Sequence, residues 1–89
     1  MAYTIVRHKV NDYATWRKVF DDFESVRKEG GEKSAVVIQV DGDPNDVIVI
    51  NTWESMETAK AFFGQGALKE AMQNAGVTGP PDFVFGNEA

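Results

Sequence analysis

Lys33-Ser34-Ala35-Val36-Val37-Ile38-Gln39-Val40, the polar run Asp41-Gly42-Asp43-Pro44-Asn45-Asp46, and Val47-Ile48-Val49-Ile50-Asn51-Thr52-Trp53 form the stretch that decides the fold. The flanking runs are rich in β-branched residues and carry no breaker, so each reads as a strand. The six residues between them are turn formers, which joins the strands as an antiparallel hairpin. Alternation along a strand puts Val36, Ile38 and Val40 on one face and Ala35 and Val37 on the other. On the third strand, Val47, Val49 and Trp53 share one face, and Ile48 and Ile50 share its opposite. Both faces of this hairpin are apolar, so both must be covered.

Working outward, Tyr3 to Val10 reads as a first strand, followed by Asn11-Asp12 as a helix N-cap. Apolar residues at 13, 16, 19, 20, 23 and 26 then recur with helical spacing. Arg27 and Lys28 suit the negative end of that helix, and Gly30-Gly31 stops it. After Trp53, Ser55 is an N-cap with Glu57 in the first turn. Met56, Ala59, Phe62 and Phe63 form the buried side of a second helical segment. Gly64-Gln65-Gly66 interrupts it; Leu68, Ala71, Met72 and Ala75 resume the spacing until Gly76. Gly79-Pro80-Pro81 forces an extended connection, and Asp82 to Gly86 is a short last strand with Phe83 and Phe85 on one side. The order β-α-β-β-α-β predicts an α+β, ferredoxin-like domain over residues 1–89. Its four-stranded antiparallel sheet has strand order 4-1-3-2, with two helices on one face.

Composition bounds the function. Eighty-nine residues make one domain, and a chain this short buries only about 60–65% of its unfolded surface. There is no cysteine to staple it. Leaving five or so large apolar side chains exposed on the sheet would forfeit roughly 8–15 kcal/mol, so a symmetric copy is expected to cover them in a homodimer. Fourteen acidic against nine basic residues give a charge of −5, which argues against nucleic acid. No apolar run approaches the ~20 residues of a membrane span, and Met1 to Arg7 lacks the pattern of a signal peptide. A cytoplasmic protein with no membrane contact is expected.

Specific residues then point to a family. Trp53-Glu54-Ser55 at the end of the third strand and the Ala59-x-x-Phe62 helix resemble the antibiotic-biosynthesis-monooxygenase-type dimeric α+β barrels. The likeness to small bacterial members without a settled activity runs nearly end to end: His8-Lys9-Val10, Asp12-Tyr13 and Trp16, Asp43-Pro44-Asn45, Leu68-Lys69-Glu70-Ala71-Met72, Ala75-Gly76-Val77 and Gly79-Pro80-Pro81. The superfamily spans oxygenases, haem degraders, isomerases, dehalogenases and proteins that only bind. The resemblance implies a cofactor-independent monooxygenase or isomerase acting on a small aromatic or polyketide-like molecule. Its alternative is a non-enzymatic dimeric small-ligand-binding or accessory protein. Where monooxygenases of the superfamily often carry a helix histidine, this chain has Phe62, and it lacks the iron-ligating helix histidine of the haem degraders. With one histidine and no cysteine, neither a metal nor another cofactor is expected.

His8, the only histidine, is the catalytic candidate, because it alone changes charge near neutral pH without special tuning. It shares a strand face with Thr4, Val6 and Val10; a place on the sheet-to-sheet face would set it in the barrel's cleft. Trp53 and Asn51 share a face of the third strand. They are the substrate-binding candidates, Trp53 as a flat wall or as core beneath a helix, Asn51 as a donor to a carbonyl or phenolate oxygen. Tyr13, Trp16 and Phe20 read as core. Asp21, Asp22 and Glu24 diverge around an exposed helix and cannot chelate together. Asp41, Asp43 and Asp46 lack the glycine and distant glutamate of a calcium loop. An unpaired His8 facing an open pocket would favour the enzyme, and a His8 tied to a backbone carbonyl the binder; a ring sealed in the helix-facing core would leave the enzyme without its acid–base group.

Overall fold

The computed structural model describes all residues, 1–89. Strand β1 (Ala2–Val10) leads into helices α1 (Tyr13–Asp22) and α2 (Glu24–Glu29), then strands β2 (Glu32–Val40) and β3 (Asp43–Trp53). Helices α3 (Met56–Phe63) and α4 (Gly66–Asn74) follow, and β4 (Val77–Asn87) closes the sheet. The sheet is four-stranded and antiparallel, in the order β2-β3-β1-β4, as the β-α-β-β-α-β reading requires.

Each crossover is two short helices and not one. The first divides at Phe23, whose ring meets Phe62 edge-on at 6.2 Å. The second divides at Gly64-Gln65. Asp12 caps α1 by accepting from the Thr15 N–H at 3.0 Å. Ser55 caps α3 in a reciprocal box with Thr58, which takes the place of the usual Glu or Gln. Gly31, at φ 103, turns the chain into β2 against the Thr58 side chain.

Two strands are longer than the sequence suggests. The hairpin turn is only Asp41-Gly42, with Gly42 at φ 85, and β3 begins at Asp43. Pro44 is tolerated there because the β2–β3 register shifts beside it, between Gln39 and Val40. β4 begins at Val77, paired with Val10, and runs through Gly79-Pro80-Pro81 as a bulge. Arg7 pairs with Asp82 and Lys9 with Thr78, so three β4 residues stand opposite His8 alone.

The register sorts every side chain. Ala2, Thr4, Val6, His8 and Val10 of β1 face the helices, with Val47, Val49, Asn51 and Trp53 beside them. The core is in two parts. One gathers Val10, Trp16, Val47, Val49 and Ala75; the other gathers Ala2, Trp53, Ala59 and Phe62. On the outer face Ile5, Ile50 and Val36 lie side by side, flanked by Val84, Ile48 and Ile38.

Candidate functional site

A cavity of about 80 Å³ lies between the sheet and the helices, where the two halves of the core meet. Twelve of its fifteen lining residues are hydrophobic. The three that are not are His8, Arg27 and Asn51. The site therefore has an apolar body and polar groups placed at its ends, the usual anatomy of a small-molecule pocket.

His8 comes from the middle of β1. Of its two possible faces the structure gives the helix side: on the face shared with Val6 and Val10 its ring points toward the helices, away from the outer sheet face, where it lines the cavity. It packs 5.5 Å from the Trp16 ring, and both of its ring nitrogens are buried without a hydrogen-bond partner. Burial pushes its pKa below the usual 6.5, and Asp46 across the sheet only partly opposes that shift. His8 is therefore a neutral imidazole at neutral pH, with one lone pair and one N–H uncommitted.

Asn51 lies on β3 opposite Thr4, four residues along β1 from His8. At about 3.3 Å per residue, the backbones of Thr4 and His8 stand roughly 13 Å apart along β1. Thr4 Oγ1 donates to Asn51 Oδ1 at 3.2 Å, and Asn51 Nδ2 donates to Glu32 Oε2 at 2.7 Å. Trp53 is fully buried among Ala2, Ala59 and Phe62, and its indole N–H donates to Thr4 Oγ1 at 2.8 Å. Its ring packs beneath Phe62 at 5.0 Å and forms no part of the cavity wall. The structure thus brings His8 and Asn51 to one cavity and leaves Trp53 behind it.

Arg27 and Glu32 are the polar residues that reading the sequence missed. Arg27 Nε donates to Glu32 Oε2 at 2.9 Å, and both side chains are buried. Its guanidinium lies 3.7 Å over the Phe20 ring and donates to the Phe20 carbonyl. Phe20 stacks on Trp16 at 5.0 Å, so His8, Trp16, Phe20 and Arg27 form one continuous wall. The signal was in the spacing: Tyr13, Trp16, Phe20, Phe23 and Arg27 step by three and four, which places Arg27 on the buried stripe.

Helix α4 closes the cavity through Leu68, Ala71 and Met72 and buries none of its residues completely. A second cavity, of about 410 Å³, lies on its far side against β4, and Phe63, Leu68 and Met72 line both. Three of the clustered carboxylates are held by cations. Asp43 and Asp46 pair with Lys9 and Arg7, each at 2.8 Å, and Asp21 pairs with Arg17. No three His, Asp or Glu side chains converge as a metal-holding group.

Neither a protein-family model nor a curated protein matches this chain. Solved structures do. The monooxygenase of the ActVA-Orf6 gene of Streptomyces coelicolor, solved in complex with nanaomycin D, is 26% identical with a TM-score of 0.70, covering 99% of this chain and 87% of that one. This chain has the antibiotic biosynthesis monooxygenase fold. SnoaB, a cofactor-independent oxygenase from Streptomyces nogalater, shares it at 13% identity and a TM-score of 0.75, over 99% of this chain and 94% of that one. An antibiotic-biosynthesis-monooxygenase-type protein of Bordetella bronchiseptica reaches a TM-score of 0.82 at 12% identity, over 99% and 96%. No helix of the fold is long and apolar enough to cross a membrane.

Proposed function

We propose that this chain is a cofactor-independent monooxygenase of planar, polyketide-like aromatic molecules, working as a homodimer. His8 carries the reading. A buried imidazole with both nitrogens unpartnered costs roughly 1–3 kcal/mol per unsatisfied group, a cost that a role in chemistry accounts for. The relatives with this fold include an oxygenase that needs no cofactor and a monooxygenase solved with nanaomycin D, which supports the same chemistry here.

The step needs a substrate with an acidic CH2 beside a conjugated carbonyl. Neutral His8 takes one C–H proton, and the electron pair delocalises onto the carbonyl oxygen, where the Asn51 amide can donate. The carbanion adds dioxygen, and the imidazolium returns its proton to give a hydroperoxide. Loss of the second C–H proton with cleavage of the O–O bond leaves a new C=O and one water. Carbon supplies all four electrons, and dioxygen is the only co-reactant. At about 80 Å³ the cavity is smaller than the ~300–1,000 Å³ of ordinary ligand sites. Leu68 and Met72 of α4 line both this cavity and the one beyond it, so displacing them would join the two.

The outer sheet face supports the dimer. Ile5, Val36, Ile38 and Val84 are 38%, 53%, 40% and 55% exposed there, in one contiguous patch with Ile48 and Ile50. Full burial is worth about 1.5–3 kcal/mol for each such side chain, and a second sheet is the surface that matches.

The test is aerobic incubation with dithranol, a tricyclic anthrone whose quinone product is coloured. The expected result is catalysed quinone formation with one dioxygen consumed per turnover, and a loss on the order of 10²–10⁴-fold in His8→Leu. Saturable binding without turnover would replace this reading with the non-enzymatic small-ligand binder that the apolar lining also suits.

A further inference from the structure

We infer that Glu32 and Thr4 are positioning residues that together hold the Asn51 amide in one orientation, with Trp53 and Arg27 as the outer anchors of the same chain of hydrogen bonds. The inference rests on the proposed role of Asn51 as donor to the substrate oxygen and extends it to groups that never touch the substrate.

The directions follow from donor and acceptor capacity. An indole N–H can only donate, so Thr4 Oγ1 must accept from Trp53 at 2.8 Å. The Thr4 hydroxyl proton is then free to go to Asn51 Oδ1, at 3.2 Å. With its oxygen committed, Asn51 turns its NH2 toward Glu32 and donates to Oε2 at 2.7 Å. A guanidinium also only donates, so Arg27 Nε shares that same Oε2 at 2.9 Å. Flipping the amide would set its oxygen against the Glu32 carboxylate and leave the Thr4 proton without an acceptor. Each of these side chains except Phe-facing Arg27 at 6% and Glu32 at 7% is at most 3% exposed, so water does not substitute for a lost partner.

The consequence is an uncommitted second N–H on Asn51, at the polar end of a cavity that Asn51 lines. Asn51 Nδ2 carries two protons, and Glu32 takes one. The other is a preorganised donor for an oxygen that gains negative charge as His8 removes a proton. Trp53 belongs to this machinery as a terminal donor, at the end of a strand whose alternate residue is Asn51.

Thr4→Val is the informative variant, because it keeps shape and removes the hydroxyl without stranding a charge. Glu32→Leu removes the other anchor but leaves buried Arg27 unpaired, and Glu32→Gln keeps an acceptor oxygen for both donors. The measurement is the pair of side-chain amide signals of Asn51 in nitrogen–proton correlation spectra, together with dithranol turnover. Thr4→Val is expected to shift and broaden the amide pair and lower kcat by on the order of a hundredfold with KM little changed. Thr4→Ser and Glu32→Gln are expected to restore both signals. A folded Thr4→Val protein whose Asn51 amide pair and kcat match the wild type would overturn the inference. If the wild-type protein does not turn over dithranol, the proposed activity fails on its own. The amide pair then decides the positioning by itself, a shift supporting it and an unchanged pair overturning it.

Discussion

The His8 imidazole packs 5.5 Å from the Trp16 indole, with the rings inclined at 57°, and neither imidazole nitrogen has a hydrogen-bond partner. A titratable ring is thereby held in an apolar cavity in its neutral form. The same arrangement that makes it a base makes it a weak point of the fold at acid pH.

That weakness has a defined window. The folded pKa of His8 lies below its ordinary 6.5, so the unfolded chain binds the proton more readily. The His8 contribution is intact above about pH 6.5 and is lost as pH falls from there toward the folded value. Urea unfolding at a series of pH values is expected to show stability declining across this window. In His8→Leu that decline is expected to disappear. The depressed carboxylates Asp12, Asp43 and Asp46 act lower, from about pH 4 downward, and their acid limb is expected to persist in the variant.

At neutral pH, His8→Leu is also expected to gain stability, by roughly 1 kcal/mol, because it replaces an unsatisfied polar ring with an apolar side chain. A stabilised protein that has lost turnover is the signature of a residue kept for chemistry. Thermal melting measures the first half and dithranol oxidation the second.

The buried Arg27–Glu32 pair is expected to behave asymmetrically. Arg27→Met alone leaves Glu32 uncompensated and is expected to cost about 3–5 kcal/mol in chemical denaturation. Arg27→Met with Glu32→Leu is expected to recover most of that loss, because no charge is then left stranded.

The outer sheet face gives a test of assembly. Ile50 is paired with Ile5 and Val36 on that face, whereas Val49 is 5% exposed against the helices. Ile50→Asp is expected to give a folded monomer by light scattering and circular dichroism. Val49→Asp is expected to unfold the chain.

Much of this was legible in the residues. Alternation in Val47-Ile48-Val49-Ile50 and Val36-Val37-Ile38 marked the two faces of the hairpin, since a period of two leaves no freedom about which residues share a side. His8 and Asn51 were legible as chemistry but not as place, because which face of the sheet the helices cover is set by tertiary packing. Trp53 could be read as wall or as core, and the indole's bond to Thr4, 49 residues away, is invisible to local pattern. Arg27 was hidden by its own charge: at a helix end, a cation is usually a solvated complement to the dipole. The extra length of β4 was hidden by Pro80 and Pro81, which sit in a bulge opposite His8.

Nuclear magnetic resonance of the imidazole is the most direct test of the site, because the chain has one histidine and its signals need no assignment. The quinone product of dithranol serves as an unreactive ligand. The expected result is a saturable shift of the His8 ring signals on titration with the quinone, absent in a variant whose cavity is filled by an Ala71→Trp side chain. Saturable quinone binding that leaves the His8 signals unmoved would contradict a site between this histidine and the helices.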